Sequence, residues 1–182
     1  SLSPTAVKTQ LLFLLGAGSE TSRDMMGLLL YQLAADPELY ARVRANRALL
    51  APATLEALRL CSPTQFMVRR CEYETEIAGR SIAPGDNVYL GLAAANRDEE
   101  VFVDADHFRL GRPNAADHLA FGGGPHVCPG SFLVRLETRI AFGALLDRYE
   151  RIELVEEGPF EPLRTPMFYG PASLPLRFVR AP

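Results

Sequence analysis

Cys128 is the side chain best placed to do chemistry. It sits in Phe121-Gly122-Gly123-Gly124-Pro125-His126-Val127-Cys128-Pro129-Gly130, which runs directly into the amphipathic segment Ser131 to Tyr149. At a helix start, unpaired backbone N–H groups and the positive end of the helix dipole favour thiolate over thiol, so a cysteine there is a metal ligand or a nucleophile. The three glycines ahead of it let the backbone fold tightly beneath a large flat ligand. Far upstream, Gly16-Ala17-Gly18-Ser19-Glu20-Thr21 interrupts an apolar helical pattern with residues poor at sustaining a helix. Each glycine costs about 1 kcal/mol against alanine, and Ser and Thr can bond the backbone instead. Small residues there suit either a close helix crossing or a flat ligand lying on the helix, with Glu20 and Thr21 at a local distortion. Glu56 and Arg59 are i,i+3 neighbours, a spacing that by itself describes an ordinary surface pair.

Three chemistries compete for the cysteine loop. One is a buried cysteine after a glycine-rich turn. A phosphate cradle is the second, but its spacing and its Lys-Ser/Thr are absent. The third is a single axial thiolate to haem iron. Phe121-x-x-Gly124-x-x-x-Cys128-x-Gly130 resembles the cysteine-loop signature of the haem-thiolate monooxygenases, the cytochrome P-450 superfamily, with His126 where the family has Arg or His. Pro129 departs from the commoner family pattern, since proline offers no N–H toward the sulfur.

The resemblance covers nearly the whole chain and implies a role for each upstream motif. Cys128 becomes the ligand of the iron in haem b (iron protoporphyrin IX), with Phe121, Gly122, Gly130 and Ala17 against the cofactor. Ala17-Gly18-x-Glu20-Thr21 resembles the oxygen-activation motif of the family's distal long helix, which makes Thr21 and Glu20 the catalytic pair. Glu56-x-x-Arg59 resembles the family's Glu-x-x-Arg helix. The resemblance makes it a buried structural charge network holding the proximal side together, with Arg112 in Phe108-Arg109-Leu110-Gly111-Arg112 as third member and Arg109 as second choice. His126 and Arg69 stand where the family directs donors at haem propionates.

The implied activity is hydroxylation or epoxidation of a small organic molecule by O2, with electrons from NAD(P)H through ferredoxin reductase and ferredoxin. Arg135 and Arg139, one helical turn apart, could meet that acidic carrier or simply be solvated. Two other readings remain: a non-catalytic haem-binding or interaction fragment, and a peroxide-driven peroxygenase. Family members are about twice as long. Residues 1–182 are therefore expected to be the haem-binding C-terminal portion of a single domain whose N-terminal half is absent, with self-association as one way to cover the exposed face.

Composition narrows the classes. At 182 residues, 48% hydrophobic and with a net charge of −3, the chain is one globular domain or a large part of one, without general attraction to nucleic acid or anionic lipid. Nucleic acid is not an expected partner. Cys61, Cys71 and Cys128 are too few and scattered for a disulfide framework or a zinc site, and they suit a reducing cytoplasm. There is no run of about 18 apolar residues, so no membrane span is expected.

The elements that must hold these groups read as mainly α with small β-sheets. Ser3-Pro4 starts a long helix to about Ala35. Asp36-Pro37 starts a second to Asn46, and Pro52 to Leu60 forms a third that stops at Ser62-Pro63. Gln65 to Arg70, Glu74 to Ile77 and Asp86 to Gly91 read as strands of a small mixed sheet. A short helical turn follows at Ala93 to Arg97, then a polar meander from Phe102 to His118. There His107 and His118 are expected at the surface or as caps. After the proximal helix, Ile152 to Val155, Met167 to Tyr169 and Leu174 to Val179 suggest short closing strands.

Overall fold

A computed structural model describes residues 2–156 and 158–180. Helix α1 spans Pro4–Ala35, with Ser3 Oγ accepting from the Ala6 amide at 3.2 Å and Pro4 in the first turn, where a missing N–H costs nothing. The helix is continuous through Gly16–Thr21, so the expected distortion is not a break. Only its second half is packed: Met25, Leu28, Leu29 and Leu33 are buried, whereas Leu11, Leu12, Phe13 and Leu15 remain exposed. Asp36 caps α2 (Pro37–Ala45) through the Leu39 amide at 2.9 Å. A 3-10 turn at Arg47–Leu49 feeds α3 (Leu50–Cys61), which therefore begins two residues before Pro52 and ends at Ser62, a non-glycine at φ 32°.

The strands are β1 (Met67–Arg70), β2 (Thr75–Ile77), β3 (Arg80–Ile82) and β4 (Asn87–Leu90). They form antiparallel pairs, β1 with β4 and β2 with β3, where the sequence suggested a mixed sheet. The β2–β3 connection is a tight turn through Gly79 (φ 77°), far too short for a parallel pair, and β4 comes back antiparallel beside β1 after a second turn at Gly85 (φ 97°). Strand β3 lies inside what reads in sequence as two successive turns. Helix α4 (Leu92–Ala95) precedes the meander, and α5 (Ser131–Arg148) follows the cysteine loop. Strands β5 (Tyr149–Leu154) and β6 (Leu176–Arg180) close the chain as a third antiparallel pair. The expected strand Met167 to Tyr169 is reduced to one bridge, Thr64 with Phe168.

The core joins α1, α2, α3, α5 and β5: Leu29, Leu33, Val43, Ala57, Leu58, Phe142, Leu146 and Ile152 pack together. Tyr40 is buried with its hydroxyl donating to the Tyr149 carbonyl at 2.9 Å, so its polar end is satisfied. The back of α1 is sealed at Asp24, which is buried against Gly170. A Cβ at Gly170 would lie 2.8 Å from Asp24 Cβ and 2.9 Å from Cγ, whereas one at Gly16 would meet nothing within 4 Å. Gly170→Ala is therefore expected to cost about 1–3 kcal/mol by overpacking, and Gly16→Ala to add up to about 1 kcal/mol through helix propensity. Urea midpoints of the two variants check both, and equal midpoints would contradict this packing.

Candidate functional site

Glu56 and Arg59 face inward, as the resemblance implies and their spacing alone does not. Both are 0% exposed and Arg112 is 6% exposed. Arg59 Nε and Nη2 donate to Glu56 Oε2 and Oε1 at 2.9 and 2.8 Å, and Arg112 Nε reaches the two oxygens at 3.0 and 3.1 Å. The Arg109 amide donates to Oε1 at 2.9 Å. Arg109 thus enters through its backbone while its side chain stays in solvent.

Burial alone would raise the Glu56 carboxyl, but hydrogen bonds from Arg59, the Arg109 amide and Arg112 outweigh it and hold the group below the ordinary carboxylate range. Two guanidiniums against one carboxylate leave an excess positive charge. Backbone carbonyls absorb it: Arg59 also donates to Asn96, Ala105 and His107, and Arg112 to Val103, Asp104 and His107. All five N–H groups of Arg59 are used. The otherwise irregular meander between α4 and the cysteine loop is stitched to α3 by these bonds.

The cysteine turn grows out of that meander. Residues Gly124–His126 form a 3-10 turn, with Gly122 at φ 67° and Gly124 at φ 63°, conformations that favour glycine. The Cys128 amide donates to the Phe121 carbonyl at 2.9 Å, closing the turn ahead of α5. Cys128 Sγ lies 3.7 Å from where a Gly130 Cβ would sit, and the residue is half-buried. Phe121, Gly122, Gly130 and Cys128 are thus brought together, with Arg135 over the Phe121 ring at 5.2 Å. His126 and Arg69 are exposed, and the Arg69 guanidinium bonds the Val68 carbonyl at 3.0 Å. On α1, Thr21 Oγ1 donates to the Ala17 carbonyl at 2.8 Å, and Glu20 is exposed.

These residues fit haem. Among the described residues no group of three His, Cys, Asp or Glu could hold a metal. A lone sulfur holds only a metal that arrives with its other ligands in place, as haem iron does. Apolar surface for a flat macrocycle is available at Val127, 52% exposed, and along Leu11 to Leu15.

Two contributors were not legible from sequence. His118 is buried, not at the surface, and stands as the cap that ends a 3-10 turn at Ala115–Asp117: Nδ1 accepts from the Ala120 amide at 3.2 Å, the ring packs on Phe121, and among the described residues Nε2 has no partner. His107, by contrast, is exposed and pairs with Asp104. Asn96 is 0% exposed and bonds both α3 and the segment leading to the cysteine. A run of alanines ending in asparagine carries no signal of this, because each partner is distant in sequence.

A family model for cytochrome P450 matches residues 1–174. Cytochrome P450-terp from a Pseudomonas species is 37% identical over 166 residues, 91% of this chain and 38% of the relative. Linalool 8-monooxygenase from Pseudomonas putida is 41% identical over 137 residues, 75% of this chain and 34% of the relative. The solved structure of a cytochrome P450 from Chondromyces apiculatus matches with a TM-score of 0.94 and 34% identity, covering 100% of this chain and 46% of its own. The chain spans less than half the length of each of these three.

Burial, reinforced by the Arg135 guanidinium, pushes His118 down to about 4 from 6.5. Because the folded state holds the imidazole neutral, the unfolded chain takes up this proton first as pH falls. Stability is lost between pH 6.5 and about 4 and no further below, by about 3 kcal/mol in all. His118→Asn, which keeps an acceptor for Ala120, should remove that part of the slope in urea unfolding. An unchanged slope would show that His118 does not set it.

Proposed function

Because the chain belongs to the cytochrome P450 family, we propose that it is the C-terminal, haem-binding portion of a b-type haem monooxygenase that hydroxylates or epoxidises a small organic molecule. One observation carries the reading: a single half-buried sulfur, Cys128, in a glycine turn whose backbone is tied through the meander to a buried ion network. Haem, when bound, supplies the iron at which dioxygen is reduced by two electrons and one oxygen atom passes to the substrate.

The chain's own residues then divide the work. Cys128, as thiolate, would hold the iron and would donate electron density to it. Phe121, Gly122, Gly130 and Ala17 would lie against the macrocycle, and His126 and Arg69, both exposed, would donate to its propionates. Thr21 has its proton committed to the Ala17 carbonyl, so its oxygen is left to accept a hydrogen bond from a water or hydroxyl beside the helix. Glu20, exposed one residue earlier, exchanges protons with solvent and passes them toward that water. Electrons come from NAD(P)H by way of ferredoxin reductase and ferredoxin, with Arg135 and Arg139 facing the acidic carrier. No helix among the described residues is long and apolar enough to cross a membrane, in keeping with the cytoplasmic placement proposed here.

A second reading, an interaction fragment that pairs with the rest of its domain or with a second copy, is favoured by one feature. Leu11, Leu12, Phe13 and Leu15 stand 56–71% exposed on consecutive faces of α1, and such a patch is a contact surface in waiting. The two readings share the haem site.

Chain reconstituted with haemin, reduced and exposed to CO, is expected to give the red-shifted Soret band of a thiolate ligand and to lose it in Cys128→Ser. A band that survives the substitution would overturn the assignment. In the complete enzyme, Thr21→Ala should leave haem binding intact and lower product formed per NAD(P)H consumed roughly tenfold or more, the balance appearing as hydrogen peroxide. Full coupling in that variant would reduce Thr21 to a packing residue.

A further inference from the structure

We infer that Asn96 is a positioning residue for the Cys128 turn, the relay through which the buried Glu56–Arg59–Arg112 network sets the path of the chain entering that turn. This deepens the haem-thiolate reading and rests on it for the identity of the ligand.

Asn96 lies at the end of α4, far in sequence from both structures it joins, and is fully buried. Each of its polar groups has a defined use. Its carbonyl accepts from Arg59 Nη1 at 2.8 Å, which ties it to the ion network. Its Nδ2 donates to Ser62 Oγ at 2.6 Å, and Ser62 Oγ donates onward to the Leu58 carbonyl at 3.1 Å, so the amide is oriented by the end of α3. That orientation leaves Oδ1 aimed at one group, the Leu119 amide, which donates to it at 2.6 Å.

Leu119 begins a short run in which successive peptide groups are held. The Leu119 amide is held by Asn96, the Ala120 amide by His118 Nδ1, the Leu119 carbonyl by the Gly122 amide at 2.8 Å, and the Phe121 carbonyl by the Cys128 amide. The segment 119–122 is neither helix nor strand, so it has no ladder of its own to fix it. The first of these anchors is the only one of the four whose partner lies outside residues 118–128. A turn rich in glycine closes on many geometries. One that must present sulfur along a fixed line needs an external reference, and Asn96 supplies it from the most deeply buried polar cluster described.

The role differs from bulk stabilisation in what its loss does. Removing Oδ1 frees the Leu119 amide and everything downstream to Cys128, while the α1, α2 and β5 core, which Asn96 does not touch, stays closed.

The test compares Asn96→Ala with Val43→Ala, a core variant in α2 that lowers global stability while leaving every hydrogen bond of this segment in place. Amide exchange by NMR on the chain itself is expected to rise about tenfold more at Leu119 and Ala120 than at the β5 amide of Ile152 in Asn96→Ala, and evenly in Val43→Ala. On the haemin-loaded chain, the reduced CO complex of Asn96→Ala should shift from the thiolate band toward a non-thiolate one, and that of Val43→Ala should not. Ser62→Ala, which leaves Oδ1 in place but releases its orientation, should show a smaller selective rise of about threefold, and it decides the matter if Asn96→Ala does not fold. Even exchange across the chain in Asn96→Ala or Ser62→Ala, or a thiolate band unmoved in Asn96→Ala, overturns the role. Exchange is read without haem, so failure of the ligand assignment itself shows separately, as a thiolate band that persists in Cys128→Ser.

Discussion

A carboxylate with no exposed surface must have its charge answered nearby, and Glu56 is answered by two guanidiniums and an amide. Such a group is costly to bury and more costly to leave half-paired: removing one partner of a buried pair typically costs about 3–5 kcal/mol. The consequence reaches beyond the pair. Arg59 and Arg112 together carry more charge than Glu56 returns, and the surplus is met by carbonyls of Asn96, Val103, Asp104, Ala105 and His107. A stretch with almost no regular structure thereby acquires one conformation. The cysteine turn begins where that stretch ends, so the network sets where Cys128 stands without touching it.

Packing divides the chain: α2, α3, α5, β5 and the second half of α1 form a closed core, with Leu29, Leu33, Val43, Ala57 and Leu146 at 0–2% exposure. The first half of α1 projects from it with large apolar residues in water. A helix apolar on every side is a helix designed to be covered. Its coverage is consistent with a chain that spans less than half of the relatives it matches. The small residues Ala17, Gly18 and Thr21 sit near the border between the two halves, where a flat ligand and a covering segment would both approach.

How much was legible depended on whether each signal was local. The Cys128 turn, the caps at Ser3 and Asp36 and the Glu56 to Arg59 spacing are written within a few residues and could be read directly. That Glu56 and Arg59 lie inside the protein came from the resemblance and not from their spacing, since an i,i+3 pair looks the same on either face. Arg112 was reached by resemblance and not by spacing, because the bond joins positions 56 residues apart. Asn96 and the link to Ser62 gave no sign, each residue being ordinary by type and informative only through distant partners, and the burial of His118 was equally unmarked although its bonded partner is two residues away. The strands erred for a related reason. Alternation of side chains finds a strand but is silent on its partner, so two antiparallel hairpin-like pairs were taken for a mixed sheet, and β3 was lost between two turns.

One proposed bond, between Cys128 sulfur and the iron of a bound haem, is what the turn, the meander and the buried charges would together hold in place. Iron K-edge absorption on the ferric, haem-loaded protein reads that bond without relying on turnover. A single sulfur in the iron's first shell alongside the macrocycle nitrogens is the predicted result. A first shell made only of nitrogen and oxygen, in protein that retains its haem, would contradict it.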